Sequence, residues 1–83
     1  MKLLKVYSKT CGPCKVLERN LKQSGIEYIN IDVDSEEGEK ISDKYEVTMV
    51  PTLLLLDDND NLIKKNTGIL NVEGIKNFIN NEV

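Results

Sequence analysis

The 83-residue sequence has no histidine, no tryptophan and only two cysteines, Cys11 and Cys14. A tetrahedral zinc site takes four ligands, so zinc bound within one chain would need carboxylates beside this pair. Two cysteines are also too few for the disulfide-dense scaffold of a small secreted protein. These shortages favour a cytoplasmic protein with no resident metal or cofactor.

Long apolar runs are missing as well. No stretch approaches the ~20 apolar residues of a membrane span. At the start of the chain, Lys5 interrupts the apolar residues before the core of a secretion signal forms. The sequence therefore predicts neither a membrane protein nor a targeting segment.

Positive charge is scarce overall and unevenly placed. The net charge of −3 argues against general nucleic-acid binding. Residues 1–25 nevertheless hold six cationic side chains against Glu18 alone, whereas residues 26–83 hold five lysines against thirteen acids. These charges either form ordinary solvated faces or give the cysteine-bearing end a field that favours thiolates and attracts anionic partners.

Hydrophobic patterning predicts one α/β domain, residues 1–83, with elements in the order β-α-β-α-β-β-α. The first βαβ unit should be a right-handed crossover with parallel strands, and the second half adds an antiparallel hairpin. The expected fold is a mixed four-stranded sheet with helices on both faces. Strands are predicted at residues 3–8, 26–33, 53–56 and 62–66, the unbroken apolar run 53–56 being the central one.

The second predicted helix has weak signals. Asp34 and Glu37 have capping-box spacing, which predicts that the helix opens at Asp34. Gly38 lies inside it, and Ile41 with Tyr45 is nearly its whole apolar face, so its intrinsic stability should be low.

The two cysteines are predicted to be chemically unequal. A helix should begin just after Cys11, with Pro13 in its first turn, where a missing N–H costs nothing. Cys14 and Leu17 share an apolar face of that helix, so Cys14 points inward while Cys11 lies at the N-terminal edge. Unpaired helix N–H groups there favour the Cys11 thiolate. Cys11 would attack a partner disulfide, and Cys14 would resolve the mixed disulfide.

Other uses of the pair remain open at this point. A single-chain zinc site with carboxylates is one, and a metal or cluster shared between two chains is another. A structural disulfide would close too small a loop to stabilise the chain much. A redox-independent adaptor module would use the loops around Cys11, Pro51 and Gly68 as an interface.

The motif Cys11-Gly12-Pro13-Cys14-Lys15 resembles the active-site motif of the thioredoxin superfamily. The stretches 31–34, 45–47, 50–55 and 67–69 are similar to that family's strand, helix, cis-proline loop, central strand and final strand. The resemblance implies a minimal thioredoxin fold, with Cys11 as nucleophile, Cys14 as resolving thiol and a cis bond before Pro51. It also implies that substrate contacts Thr10, Gly12, Pro13, Val50, Pro51 and Gly68.

The same resemblance implies a function. The chain is expected to be a monomeric thiol–disulfide oxidoreductase that reduces disulfide-bearing proteins, with electrons from a thioredoxin reductase-like flavoenzyme. Its length and residues 6–11 look more like glutaredoxin and the small glutaredoxin-like hydrogen donors of ribonucleotide reductase. The alternative electron donor is therefore glutathione.

Several positions depart from the family pattern. Thr10 replaces the usual tryptophan, and Met49 stands where thioredoxins commonly carry glycine. Lys5 corresponds to the family's buried aspartate and is expected on a solvated side of its strand. Residues 68–71 do not reproduce the Gly-Gly-x-x-Asp glutathione site of glutaredoxins, which argues against dedicated glutathione binding.

Overall fold

The computed structural model describes residues 1–80 and contains the seven predicted elements in the predicted order. Residues 81–83 of the predicted domain lie outside the described part. The elements are β1 (Lys2–Tyr7), α1 (Gly12–Ser24), β2 (Ile29–Asp32), α2 (Glu36–Lys44), β3 (Thr52–Leu56), β4 (Leu62–Thr67) and α3 (Val72–Ile79).

The four strands form one mixed sheet in the order β2-β1-β3-β4. Strand β1 runs parallel to β2 and antiparallel to β3, which in turn is antiparallel to β4. The register pairs Val6 with Thr52 and Thr52 with Thr67. The end of β1, the start of β3 and the end of β4 therefore lie at the same end of the sheet. The loops there (residues 8–11, 50–51 and 68) are called the loop end below.

Helices cover both faces of the sheet, as predicted. Because side chains alternate along a strand, each of β1 and β3 feeds two cores. One core lies under α1 and α3 and contains Leu3, Leu17, Leu21, Leu53, Leu55 and Ile75. The other lies on the α2 side and contains Leu4, Val6, Ile31, Tyr45, Leu54 and Leu56. Every residue of β3 is buried, which confirms that the apolar run is an interior strand.

Strand β2 is shorter than predicted and its alternation is only partly realised. It covers residues 29–32 rather than 26–33. Ile31 is buried, whereas Ile29, predicted to share its environment, is 49% exposed. Because β2 is one of the two edge strands of the sheet, Ile29 has a neighbouring strand on one side alone.

The predicted capping box at the start of α2 is wrong. The N-cap is Ser35, whose hydroxyl accepts a 2.9 Å hydrogen bond from the N–H of Gly38. The Asp32 carboxylate accepts from the N–H of Asp34 and draws this residue into the preceding turn. A Cβ on Gly38 would overlap the carbonyl oxygen of Asp32. Gly38 is thus required by close packing of the turn on the helix, and is more than a weakness in it.

Candidate active site

The cysteine loop joins β1 to the N-terminus of α1. Cys11 is the N-cap residue, and its Sγ accepts a 3.1 Å hydrogen bond from the backbone N–H of Cys14. Pro13 occupies the first turn, as predicted. The backbone N–H of Cys11 donates to the carbonyl oxygen of Ser8 at 3.2 Å, which holds the loop against the end of β1.

The two sulfur atoms are joined in a disulfide, with 5.3 Å between the Cα atoms. Cys14 is 3% exposed, whereas Cys11 is only partly buried. Their environments therefore differ as predicted. Cys11 Sγ lies where helix N–H groups and the positive end of the helix dipole stabilise a thiolate.

The loop before β3 carries a cis bond between Val50 and Pro51, which confirms what the resemblance implied. The pairing of Val6 with Thr52 places Pro51 next to the end of β1. The carbonyl oxygen of Pro51 accepts a 2.9 Å hydrogen bond from the N–H of Gly68. Val50 and Ser8 line one cavity, so the proline loop and the cysteine loop are neighbours.

The predicted substrate-contacting residues all lie at the loop end or on the first turn of α1. Thr10, Gly12 and Pro13 are exposed around Cys11. Val50 is partly buried and Pro51 is buried. Gly68 lies in a bend with φ at +103°, the region that favours glycine. The structure brings together residues from three separate stretches of the chain.

The cavity that Ser8 and Val50 line, beside the loop end, was not predicted. It has a volume of about 640 Å³ and is lined by Ser8, Val33, Glu39, Ser42, Asp43, Val47, Thr48, Met49 and Val50. Met49 is 64% exposed at its rim. The Ser42 hydroxyl is buried without a hydrogen-bond partner among residues 1–80. Apolar residues at positions 47, 49 and 50, just before Pro51, were the available sequence signal.

The prediction that Lys5 is solvated is wrong. Its residue exposure is 2%, because β1 has a strand on each side and Lys5 lies on the α1 face of the sheet. Its Nζ lies 3.8 Å from Glu18 Oε2. The ammonium also lies over two aromatic rings, 5.0 Å from the ring centroid of Tyr7 and 5.5 Å from that of Tyr28. Burial lowers the pKa of Lys5, and the charge of Glu18 partly opposes that shift.

Lys5 and Cys14 line the same small cavity. Its volume is about 250 Å³, and its other lining residues are Tyr7, Ser8, Lys9, Lys15, Glu18 and Asn30. A charged group and the buried cysteine thus border one space beneath the N-terminal half of α1. The arrangement could be anticipated from the sequence only by recognising that β1 is an interior strand.

Among residues 1–80, no group of three or more His, Cys, Asp or Glu side chains is placed to hold a metal ion. In the same part of the chain, none of the helices has the length and apolar character needed to cross a membrane.

The chain matches the family model described as Thioredoxin over residues 1–81. Among its relatives is the SPbeta prophage-derived thioredoxin-like protein YosR of Bacillus subtilis, 29% identical over 68 residues, which cover 82% of each chain. Another is the thioredoxin of Chlamydia pneumoniae, 30% identical over 81 residues, which cover 94% of this chain and 78% of the relative.

Solved thioredoxin structures are also similar to this chain. A mutant thioredoxin from Halobacterium salinarum superposes with a TM-score of 0.79 at 30% identity, covering 93% of this chain and 69% of that one. Thioredoxin-2, a component of the malaria parasite protein secretion machinery, has a TM-score of 0.81 at 19% identity, with coverages of 96% and 81%. At that identity the second comparison speaks for the fold alone.

Proposed function

This chain belongs to the thioredoxin family, and from that premise we propose that it works as a reductase of protein disulfides. It is a thiol–disulfide oxidoreductase whose redox pair is Cys11 and Cys14, and it acts on disulfide-bearing substrates. The proposal adds the direction of electron flow, the donor and the roles of individual residues.

The carrying observation is the asymmetry of the pair. Cys11 Sγ sits at the N-cap of α1 and accepts the N–H of Cys14, while the Cys14 side chain is buried. In the reduced protein, the Cys11 thiolate attacks one sulfur of the partner disulfide. A bond forms between Cys11 and that sulfur, and the other partner sulfur leaves as a thiolate, which takes a proton from water.

Cys14 completes the exchange. It gives its proton to water and attacks Cys11 Sγ. The bond between Cys11 and the partner breaks, and the second partner sulfur leaves as a thiolate, which takes up a proton from water. The partner has gained two electrons, and the chain holds the Cys11–Cys14 disulfide. A further dithiol or two further thiols must then reduce that disulfide.

We assign substrate contact to the loop end. The backbone N–H and C=O of Val50 take part in none of the hydrogen bonds found among residues 1–80. They are free to pair with an extended peptide, in the way that strands add to exposed edges. The other proposed contacts flank Cys11, precede β3 or follow β4: Thr10, Gly12, Pro13, Pro51 and Gly68.

The electron donor that we propose is a thioredoxin reductase-like flavoenzyme, acting on a monomeric, single-domain protein in the cytoplasm. The family match covers residues 1–81, and residues 68–71 lack the glutathione motif. Glutathione is the competing donor, and the donor experiment below separates the two.

The test is insulin reduction followed by turbidity. The protein receives electrons either from NADPH with a thioredoxin reductase or from NADPH, glutathione reductase and glutathione. We expect turnover with the first system and little with the second, and none in either after Cys11→Ser. Turnover with glutathione alone would overturn the proposed donor. Absence of turnover in both systems would overturn the proposed reductase function and leave a redox-independent adaptor.

A further inference from the structure

A buried cation, Lys5, lines the same cavity as a buried cysteine, Cys14. Burying an ammonium costs free energy unless its charge is compensated. The side chain of Lys5 is 3% exposed, and its one ion-pair partner among residues 1–80, Glu18, is 36% exposed. A leucine or methionine would fill the same site without that cost, so the charge calls for a reason.

We propose that the Lys5 ammonium, which borders the same cavity as Cys14, favours the Cys14 thiolate that resolves the mixed disulfide. Burial disfavours the thiolate form of any cysteine, and a nearby cation offsets that effect. Lys5 is a positioning residue. Its charge acts on the protonation of Cys14, and it exchanges no atoms with the substrate. The inference rests on the proposed resolving role of Cys14.

Other charged side chains near the cavity also act on Cys14. Glu18 opposes the effect at the cavity, but it is shared, because its Oε1 lies 3.5 Å from Lys22 Nζ while its Oε2 lies 3.8 Å from Lys5 Nζ. Lys9 is engaged by Asp32 at 3.7 Å. The titratable or charged groups bordering the cavity are Lys5, Tyr7, Lys9, Cys14, Lys15 and Glu18.

The protonation state of Lys5 is compatible with this role. Loss of water around the ammonium lowers its pKa, and Lys22 lowers it further, while Glu18 raises it. The ion pair with Glu18 and the aromatic rings of Tyr7 and Tyr28 favour the charged form of Lys5.

The size of the effect follows from the chemistry of exchange. A neighbouring opposite charge shifts the pKa of an ionisable group by about one unit or more. Losing it would reduce the thiolate fraction about tenfold per unit, but a less acidic thiol is a better nucleophile. The resolving step should then slow about threefold per unit near neutral pH.

The experiment resolves the two steps in time. Reduced protein is mixed with one equivalent of dithiobis(nitrobenzoate). Attack by Cys11 releases one nitrothiobenzoate, and attack by Cys14 on Cys11 Sγ releases the second. The rate of the second release is measured by stopped-flow absorbance across pH, with Cys14→Ser as the variant that gives the first release alone.

Two neutral variants, Lys5→Met and Lys5→Gln, test the cation. Met keeps most of the stem volume and Gln keeps polarity, and thermal unfolding checks each fold. The matched control is Lys22→Met, which removes the other cation on Glu18 but does not border the cavity. We expect both Lys5 variants to move the midpoint of the second release upward by about one unit, with the control unchanged.

The outcomes separate the two proposals. If the parent protein gives no second release, the resolving role of Cys14 fails and the inference fails with it. If the parent gives two releases and the folded Lys5 variants retain its pH profile, only the inference is overturned. A change in unfolding temperature without a change in midpoint would mean that Lys5 is purely structural.

Discussion

The backbone N–H of Gly68 donates a 2.9 Å hydrogen bond to the carbonyl oxygen of Pro51. Gly68 does so with φ at +103°, a conformation that residues with a Cβ rarely adopt. The bond ties the end of β4 to the loop before β3. The backbone of one glycine therefore helps to fix the part of the loop end to which we assign substrate contact.

We expect Gly68→Ala to impair both stability and activity. Forcing a Cβ into this conformation costs about 1–3 kcal/mol, and relief of that strain would displace Pro51. Insulin reduction, measured well below the unfolding temperature, should fall severalfold. The matched control is Gly25→Ala, since Gly25 also has positive φ, at +72°, but caps the far end of α1. It should lose comparable stability and keep its activity, and equal activity in the two variants would contradict the prediction.

The cap of α2 gives a second prediction. Ser35→Ala removes the hydroxyl that accepts from Gly38 and should cost about 1 kcal/mol in the free energy of unfolding. Asp34→Ala removes a side chain that caps nothing and should cost less than half as much. Urea unfolding of the two variants measures this difference. The reverse order of stabilities would restore the capping box that the sequence suggested.

Acid stability should depend on Asp57. Backbone hydrogen bonds from Asn61 and Asn59 lower its pKa below the ordinary value of 3.8. The contribution is therefore complete above that ordinary value and is lost as pH falls through the lowered pKa of the folded state. Unfolding measured down to about pH 2 should show this loss, and Asp57→Asn should flatten the slope.

High salt should affect the contributions of Asp57 and Asp60 to stability differently, although both residues lie in the same turn. Asp60 also has a lowered pKa, caused first by its hydrogen bond from Lys2 at 2.6 Å. Both partners of that pair are about half exposed, so about 1 M salt should weaken it. The backbone hydrogen bonds to Asp57 should persist. Equal salt sensitivity of Asp57→Asn and Asp60→Asn would argue against this assignment.

Alkylation tests the asymmetry of the cysteines. Near neutral pH, iodoacetamide should modify Cys11 of the reduced protein before Cys14, because Cys11 lies at the helix N-terminus and Cys14 is buried. Mass spectrometry of peptides sampled over time gives the order. The denatured protein is the control and should label both equally. Equal rates in the folded protein would remove the basis for distinct roles.

Periodicity predicted most of the fold. The apolar run at 53–56 and the alternation along strands depend on local sequence. The structure realises the run as an interior strand and the alternation of β2 only in part. The roles of Cys11 and Cys14 depend on helix geometry, which is local too. The predicted start of α2 was wrong because the choice of N-cap between Asp34 and Ser35 depends on Asp32. The Asp32 carboxylate accepts a hydrogen bond from the N–H of Asp34.

The burial of Lys5 could not be predicted from the local sequence pattern. A lysine in a strand is usually assigned to solvent, yet Lys5 is paired with Asn30 on one side and Leu53 on the other. Its burial follows from the position of β1 inside the sheet, a property of the whole topology. The same holds for the cavity beside Met49, whose lining comes from distant parts of the chain.

The register between β1 and β3 has a consequence for biosynthesis. Val6 pairs with Thr52, so the cysteine loop leaves the ribosome long before the strand that flanks it. During that interval β1 lacks its neighbour β3, and the fold that buries Cys14 is incomplete. The chain therefore passes through a stage of translation in which Cys14, which the finished fold buries, is open to oxidants and to foreign disulfides.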